Sequence, residues 1–116
     1  MTGSRTLLPL AALAAIMALF SAGRGHANGI ETIDCHAELN RAEQTICKSQ
    51  KLQILDAKVT EVYADAMLGQ RLSERVKQML RYSQYGFLAR RNACGPDPDC
   101  LEDVMTQRAN RIRYDH

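Results

Sequence analysis

Four carboxylates that lie close together in the sequence are the first groups with a possible chemical role: Asp97, Asp99, Glu102 and Asp103. Glycoside hydrolysis needs a pair of carboxylates, one acting as acid and the other as base or nucleophile. These four lie where a helix is predicted to begin. Negative charge is favourable there for a structural reason, because the amino-terminal end of a helix carries partial positive charge. We therefore interpret them as structural and candidate partner-binding groups.

Other groups that could support catalysis are sparse. Beyond His26, the histidines are His36 and the terminal His116, and neither has a helix-spaced partner for metal ligation. No serine lies in a nucleophile-elbow sequence. The sequence predicts no catalytic residue, no metal site and no cofactor, and we expect a protein that is not an enzyme.

The amino-terminal residues predict a cleavable signal peptide over residues 1–27. Arg5 gives a positive start, and residues 7–20 form an almost wholly apolar run. This run is shorter than the roughly 20 apolar residues that a membrane-spanning helix needs. Small residues at Gly25 and Ala27 suit a signal peptidase, so cleavage is expected after Ala27.

Cleavage after Gly23 is the weaker alternative, and neither site suits lipid attachment. A lipid anchor needs a cysteine directly after the cleavage point, whereas Cys35 lies further along and follows the acidic Asp34. We expect residues 28–116 to be exported as a soluble protein, periplasmic or secreted, that meets the membrane only during export.

The chain contains four cysteines: Cys35, Cys47, Cys94 and Cys100. An even number in an exported chain indicates two disulfides. The spacing favours local pairs, Cys35 with Cys47 and Cys94 with Cys100, but four cysteines allow three connectivities and the sequence does not choose among them. Zinc is the alternative, although it favours cysteines separated by two residues, a spacing that this chain lacks.

Charge is balanced overall and uneven along the chain. The net charge of +2 comes entirely from Arg5 and Arg24, so residues 28–116 are neutral. A neutral domain without Trp gives no electrostatic footprint for nucleic acid. The charged side chains of residues 66–94 are mainly basic, and those of residues 95–103 are all acidic. Such short segments usually form solvated helix faces, and a binding surface is the alternative.

Capping residues and apolar periodicity predict the first two helices. Asn40 and Glu43 match a capping box ahead of a short helix over residues 41–47. A second amphipathic helix is predicted between Ser49, its amino-terminal cap, and Gly69, which stops it.

Two further helices are predicted by the same criteria. The third covers residues 72–93, with Met79 in its apolar stripe and with Gly86 marking a bend or a close packing contact. The fourth covers residues 98–113 and has Asp97 as its cap. We expect an all-α domain, a small disulfide-stapled bundle or hairpin of about four helices.

Four polar residues lie beside the apolar stripes: Asp56, Gln84, Arg91 and Arg108. Buried polar groups need partners, so we expect these side chains to hydrogen-bond across helices. Pairing of Arg91 or Arg108 with Asp56 is one arrangement. Long side chains that snorkel at the edge of the core are the alternative.

The order and spacing of one set of residues are typical of a known family: Asp34-Cys35, Ala42-Glu43, Ile46-Cys47, Leu52, Leu55-Asp56, Tyr63, Gln84, Phe87-Leu88, Arg91-Asn92, Cys94, Cys100-Leu101 and Arg108. Through these residues, the segment 34–112 resembles the LprI-like family of small exported proteins, named after a lipoprotein that inhibits lysozyme. Phe87 and Asn92 stand where the family usually has Trp and Asp, and the aromatic residue that the family usually has near Met105 is missing. The resemblance supports the two local disulfides and implies an LprI-like helical domain over residues 28–116.

For function, the resemblance implies a protein partner, with a lysozyme as the first candidate. Electrostatic complementarity predicts that the acidic stretch Asp97–Asp103 faces the cationic surface of the enzyme. Arg75, Arg81 or Arg90 would then approach its acidic cleft. The alternative is an envelope structural or assembly protein that makes no contact with lysozyme.

Overall fold

Four helices form the described part of the protein. The computed structural model describes residues 31–114. Its helices are α1 Arg41–Cys47, α2 Gln50–Leu68, α3 Glu74–Ala93 and α4 Pro98–Tyr114. No strand occurs between residues 31 and 114, and the all-α prediction is confirmed. The predicted signal peptide, residues 1–27, lies outside the described residues.

The predicted caps of α1 and α2 are confirmed. Asn40 Oδ1 accepts a hydrogen bond from the Glu43 amide at 2.8 Å, and Glu43 Oε1 accepts one from the Asn40 amide at 3.1 Å. Ser49 Oγ accepts from the Leu52 amide at 3.2 Å and begins α2. At the other end of α2, a Cβ at Gly69 would lie 2.8 Å from the Asp65 carbonyl oxygen, so only glycine fits there without a shift.

α3 begins later than predicted. Its cap is Ser73, whose Oγ accepts a hydrogen bond from the Val76 amide at 3.3 Å, so the helix starts at Glu74 and not near Leu72. A hydroxyl that satisfies a free amide at the helix start outweighs one more apolar residue in the periodic pattern. Gly86 is not closely packed, since the nearest atom to a Cβ there is Arg90 Nη1 at 3.5 Å.

α4 holds the core together because it packs mainly along α2 and also contacts α1 and α3. The larger apolar cluster draws on all four helices: Ala42, Ile46, Leu52, Val59, Phe87, Leu101, Met105 and Ala109. A second cluster consists of Tyr63, Ala66, Leu80 and Ile112. Burial of each large apolar side chain in these clusters contributes about 1.5–3 kcal/mol to folding.

Both disulfides are present with the predicted pairing. Cys35 joins Cys47 with 5.7 Å between the Cα atoms, and Cys94 joins Cys100 with 5.6 Å between them. The first bond ties the arm before α1 to the end of α1, and the second closes the turn between α3 and α4. All four sulfurs are bonded, so they are not available as zinc ligands. Two disulfides are typical of a chain that folds in an oxidising compartment.

None of the helices within residues 31–114 is long and apolar enough to cross a membrane.

Candidate functional site

The turn between α3 and α4 positions the predicted acidic residues. Gly95 has a φ of 58°, the left-handed conformation that favours glycine, and it reverses the chain after α3. Asp97 Oδ1 accepts hydrogen bonds from the amides of Asp99 at 3.0 Å and Cys100 at 3.2 Å. Asp97 therefore caps α4 as predicted, and the Cys94–Cys100 disulfide holds the turn closed.

The four carboxylates meet in one shallow surface depression. It is lined by Asp97, Asp99, Cys100, Glu102, Asp103 and Thr106, and we call it the acidic depression. Asp97 accepts its hydrogen bonds from backbone amides, whereas two of the other carboxylates interact with side chains. Glu102 Oε1 lies 2.7 Å from Lys51 Nζ on α2, and Asp103 Oδ2 accepts a hydrogen bond from Gln107 Nε2 at 3.3 Å.

The predicted basic residues of α3 do not form one surface. Arg81 lines a small apolar recess with Gln78, Tyr82 and Tyr85. Arg90 lies further along α3 and lines a groove against α4. We call this the basic groove, and its lining residues are Arg90, Val104, Gln107, Arg108 and Arg111.

The acidic depression and the basic groove are neighbours on α4. Gln107 lines the basic groove and donates its hydrogen bond to Asp103, which lines the acidic depression. Charges of opposite sign therefore lie side by side on one helix.

Arg91 is the centre of a buried polar cluster that joins α1, α2 and α3. Its Nη2 lies 3.4 Å from Glu43 Oε2, and its Nη1 lies 4.0 Å from Asp56 Oδ1. Nε and Nη2 also donate to Asn92 Oδ1 at 3.2 and 3.0 Å. Burial lowers the pKa of Arg91, while Glu43 and Asp56 oppose that shift. The predicted pairing of Arg91 with Asp56 is confirmed as a long contact.

Asp56 also fixes the arm that precedes α1. Its Oδ2 accepts a hydrogen bond from the Ile33 amide at 3.0 Å. The carboxylate of Asp56 thus contacts both the arm and Arg91. Its hydrogen bond to the arm joins residues 23 positions apart in the sequence.

Arg108 does not pair with Asp56, which was the other predicted arrangement. Its Nε and Nη2 donate to Gln84 Oε1 at 3.0 and 2.9 Å, and Nη2 donates to Ser83 Oγ at 3.0 Å. Its guanidinium carbon lies 5.7 Å from the centre of the Phe87 ring. The pKa of Arg108 falls to about 10, mainly because of burial and further because of the positive charge of Arg90.

Sequence reasoning did not predict a cleft between α2 and α3. Its lining includes Asp56, Gln84, Phe87, Leu88, Arg91 and Asn92. The sequence indicated part of this cleft, because its polar residues beside the apolar stripes were predicted to hydrogen-bond across helices. The space between those helices follows only from their relative placement.

Between residues 31 and 114, no group of three or more His, Cys, Asp or Glu side chains is arranged to hold a metal ion.

The chain was compared with protein-family models, with curated proteins and with solved structures, and none of the three comparisons finds a match.

Proposed function

We propose that this protein is an exported binding protein that inhibits a lysozyme-type muramidase by direct contact. The proposal starts from the resemblance of residues 34–112 to the LprI-like family. The observation that carries it is the acidic depression, whose carboxylates lie on the turn closed by the Cys94–Cys100 disulfide and on the start of α4.

Rigidity supports a binding role for the turn. The Cys94–Cys100 bond and the hydrogen bonds to Asp97 Oδ1 fix the start of α4 before any partner arrives. A preorganised surface loses less conformational entropy on association, so more of the interaction free energy remains as affinity.

Charge supports lysozyme as the partner. A lysozyme of the c type has a cationic surface, and the acidic depression carries complementary charge. Complementary charges speed association and select against partners of like charge. Contacts of this kind weaken as salt rises, because exposed charges are screened within about 10 Å at 0.1 M ionic strength.

Export is part of the proposal. The predicted signal peptide supports it, and so do the two disulfides, because such bonds persist in oxidising compartments. An inhibitor at this location meets lysozyme outside the cytoplasm, in the periplasm or beyond the cell.

Binding to immobilised lysozyme tests the acidic depression. The test variant carries Asp99→Asn, Glu102→Gln and Asp103→Asn, and it keeps Asp97 because that side chain caps α4. We expect the triple variant to bind about tenfold more weakly at low salt, and to differ less from the unchanged protein at high salt.

A matched control removes the same charge elsewhere. Glu38→Gln, Glu61→Gln and Asp65→Asn change three exposed carboxylates outside the acidic depression. The control variant should bind like the unchanged protein. Equal weakening of lysozyme binding in both variants would show that only the overall charge matters. Equal binding by all three proteins would show that lysozyme contacts a surface other than the acidic depression.

A further inference from the structure

The two buried arginines have opposite surroundings. Arg91 lies beside two carboxylates, those of Glu43 and Asp56. Arg108 is just as buried, but its hydrogen-bond acceptors are the neutral oxygens of Gln84 and Ser83. Buried charges in proteins are normally paired, because loss of hydration is costly without a counter-charge.

The groove around Arg108 adds positive charge. Arg90 and Arg111 line the same groove, and both lower the pKa of Arg108. Within residues 31–114, the ion pairs shorter than 4.0 Å include none of these three arginines. At neutral pH Tyr63 is not the counter-charge, since burial raises the pKa of its hydroxyl above the ordinary value and outweighs the opposing effect of Arg81 and Arg108.

We propose that the basic groove binds the carboxylates of an acidic peptide segment of a protein partner. Guanidinium groups match carboxylates through paired N–H donors. The hydrogen bonds of Arg108 within the described chain use Nε and Nη2, which leaves the Nη1 edge as donor. Arg90 and Arg111 supply donors from α3 and α4.

The dimensions of the groove favour a peptide over a single small ion. It encloses about 360 Å³, and Val104 gives it one apolar lining residue. A segment with neighbouring Glu or Asp side chains would place two carboxylates among the three guanidiniums and its methylene groups against Val104. This ligand, an acidic segment, extends beyond the inhibition of lysozyme and uses a different surface from the acidic depression.

A titration followed by nuclear magnetic resonance tests the site. The purified oxidised protein is titrated with a blocked tetraglutamate peptide, with the corresponding tetraglutamine peptide, and with inorganic phosphate. We expect saturable shifts of the Arg108 Nε–H signal and of the α4 amides near Val104 with tetraglutamate alone. Absence of saturation would overturn the site, and phosphate binding at least as tight as tetraglutamate would overturn the carboxylate assignment.

Two exposed arginines allow a test that preserves the core. The groove variant combines Arg90→Gln with Arg111→Gln, and the control variant combines Arg41→Gln with Arg75→Gln at exposed positions outside the groove. We expect about a tenfold loss of tetraglutamate affinity in the groove variant and less than about a twofold loss in the control. Equal losses in both variants would overturn the proposal.

Thermal unfolding of the free protein separates binding from stability. Loss of the like charges beside Arg108 should leave the melting temperature of the groove variant unchanged or higher, because repulsion is relieved. A lower melting temperature together with undiminished tetraglutamate affinity would show that Arg90 and Arg111 are structural, and it would overturn the proposal.

Discussion

Gln84 on α3 accepts two hydrogen bonds from Arg108 on α4, at 3.0 Å from Nε and 2.9 Å from Nη2. The amide oxygen thereby fixes the guanidinium and the register of the two helices. Replacement of Gln84 by Leu removes this acceptor and leaves a buried cation with Ser83 alone. We expect a loss of about 2–4 kcal/mol in the free energy of unfolding, measured by urea denaturation.

Gln84→Glu is the informative companion variant. A carboxylate at this position would pair with Arg108, so stability should be retained or increased, and the basic groove should bind tetraglutamate less well. If Gln84→Leu left the stability unchanged, or if Gln84→Glu destabilised as much as Gln84→Leu, the importance of this hydrogen-bonded pair would be contradicted.

The sequence was sufficient to predict those helix ends whose capping residues act locally. Asn40, Ser49, Gly69 and Asp97 each act within a few residues, so α1, α2 and the start of α4 were predicted where they occur. At α3, the predicted start near Leu72 was wrong, because Ser73 Oγ accepts the hydrogen bond that caps the helix and the helix begins at Glu74.

Positions that depend on a neighbouring helix were predicted less well. Met79 and Leu80 both fit the apolar pattern of α3, yet Met79 is 63% exposed and Leu80 only 2%. Which of the two is buried depends on where α2 and α4 lie. The choice of Gln84 as the partner of Arg108 likewise depends on the relative placement of α3 and α4. The basic groove was missed for this reason, because its arginines come from two helices.

Asn92→Asp tests the charge balance around Arg91. The new carboxylate would accept the same two hydrogen bonds as Asn92 Oδ1, now with opposite charge. It should raise the pKa of Arg91, which burial lowers, and increase the free energy of unfolding by about 1 kcal/mol at pH 7.

The sign of the pH effect follows from the new carboxyl. Its pKa in the folded state would fall below the value of about 3.9 in the unfolded state, so the gain is present at neutral pH and is lost as the pH falls through the folded-state pKa. Urea denaturation at neutral and at strongly acidic pH measures this. A gain that persists in strong acid would contradict the electrostatic explanation.

The two disulfides should contribute similarly to stability and differently to binding. Replacing either pair by serine should cost about 2–3 kcal/mol by loss of chain constraint in the unfolded state. Lysozyme binding at a temperature where both variants remain folded should fall more without Cys94–Cys100, because that bond closes the turn beneath the acidic depression. Equal binding losses in the two variants would contradict a specific role of the Cys94–Cys100 bond in lysozyme binding.

Asp97 should stabilise the fold mainly as the hydrogen-bond acceptor that caps α4 and only slightly through its charge. Asp97→Ala removes the acceptor for the amides of Asp99 and Cys100 and should cost about 1 kcal/mol. Asp97→Asn keeps an acceptor and should cost only a few tenths of a kcal/mol. Thermal unfolding and circular dichroism measure both. Equal costs for the two variants would contradict the capping role.

The proposed function is tested most directly by residual lysozyme activity. The purified, oxidised protein is added to a c-type lysozyme at increasing molar ratio, and hydrolysis of cell-wall substrate is followed at low salt. We expect activity to fall saturably with the molar ratio, and the reduced protein to inhibit less. Full lysozyme activity at a large molar excess of the folded protein would contradict the inhibitor role and favour a structural or assembly role in the envelope.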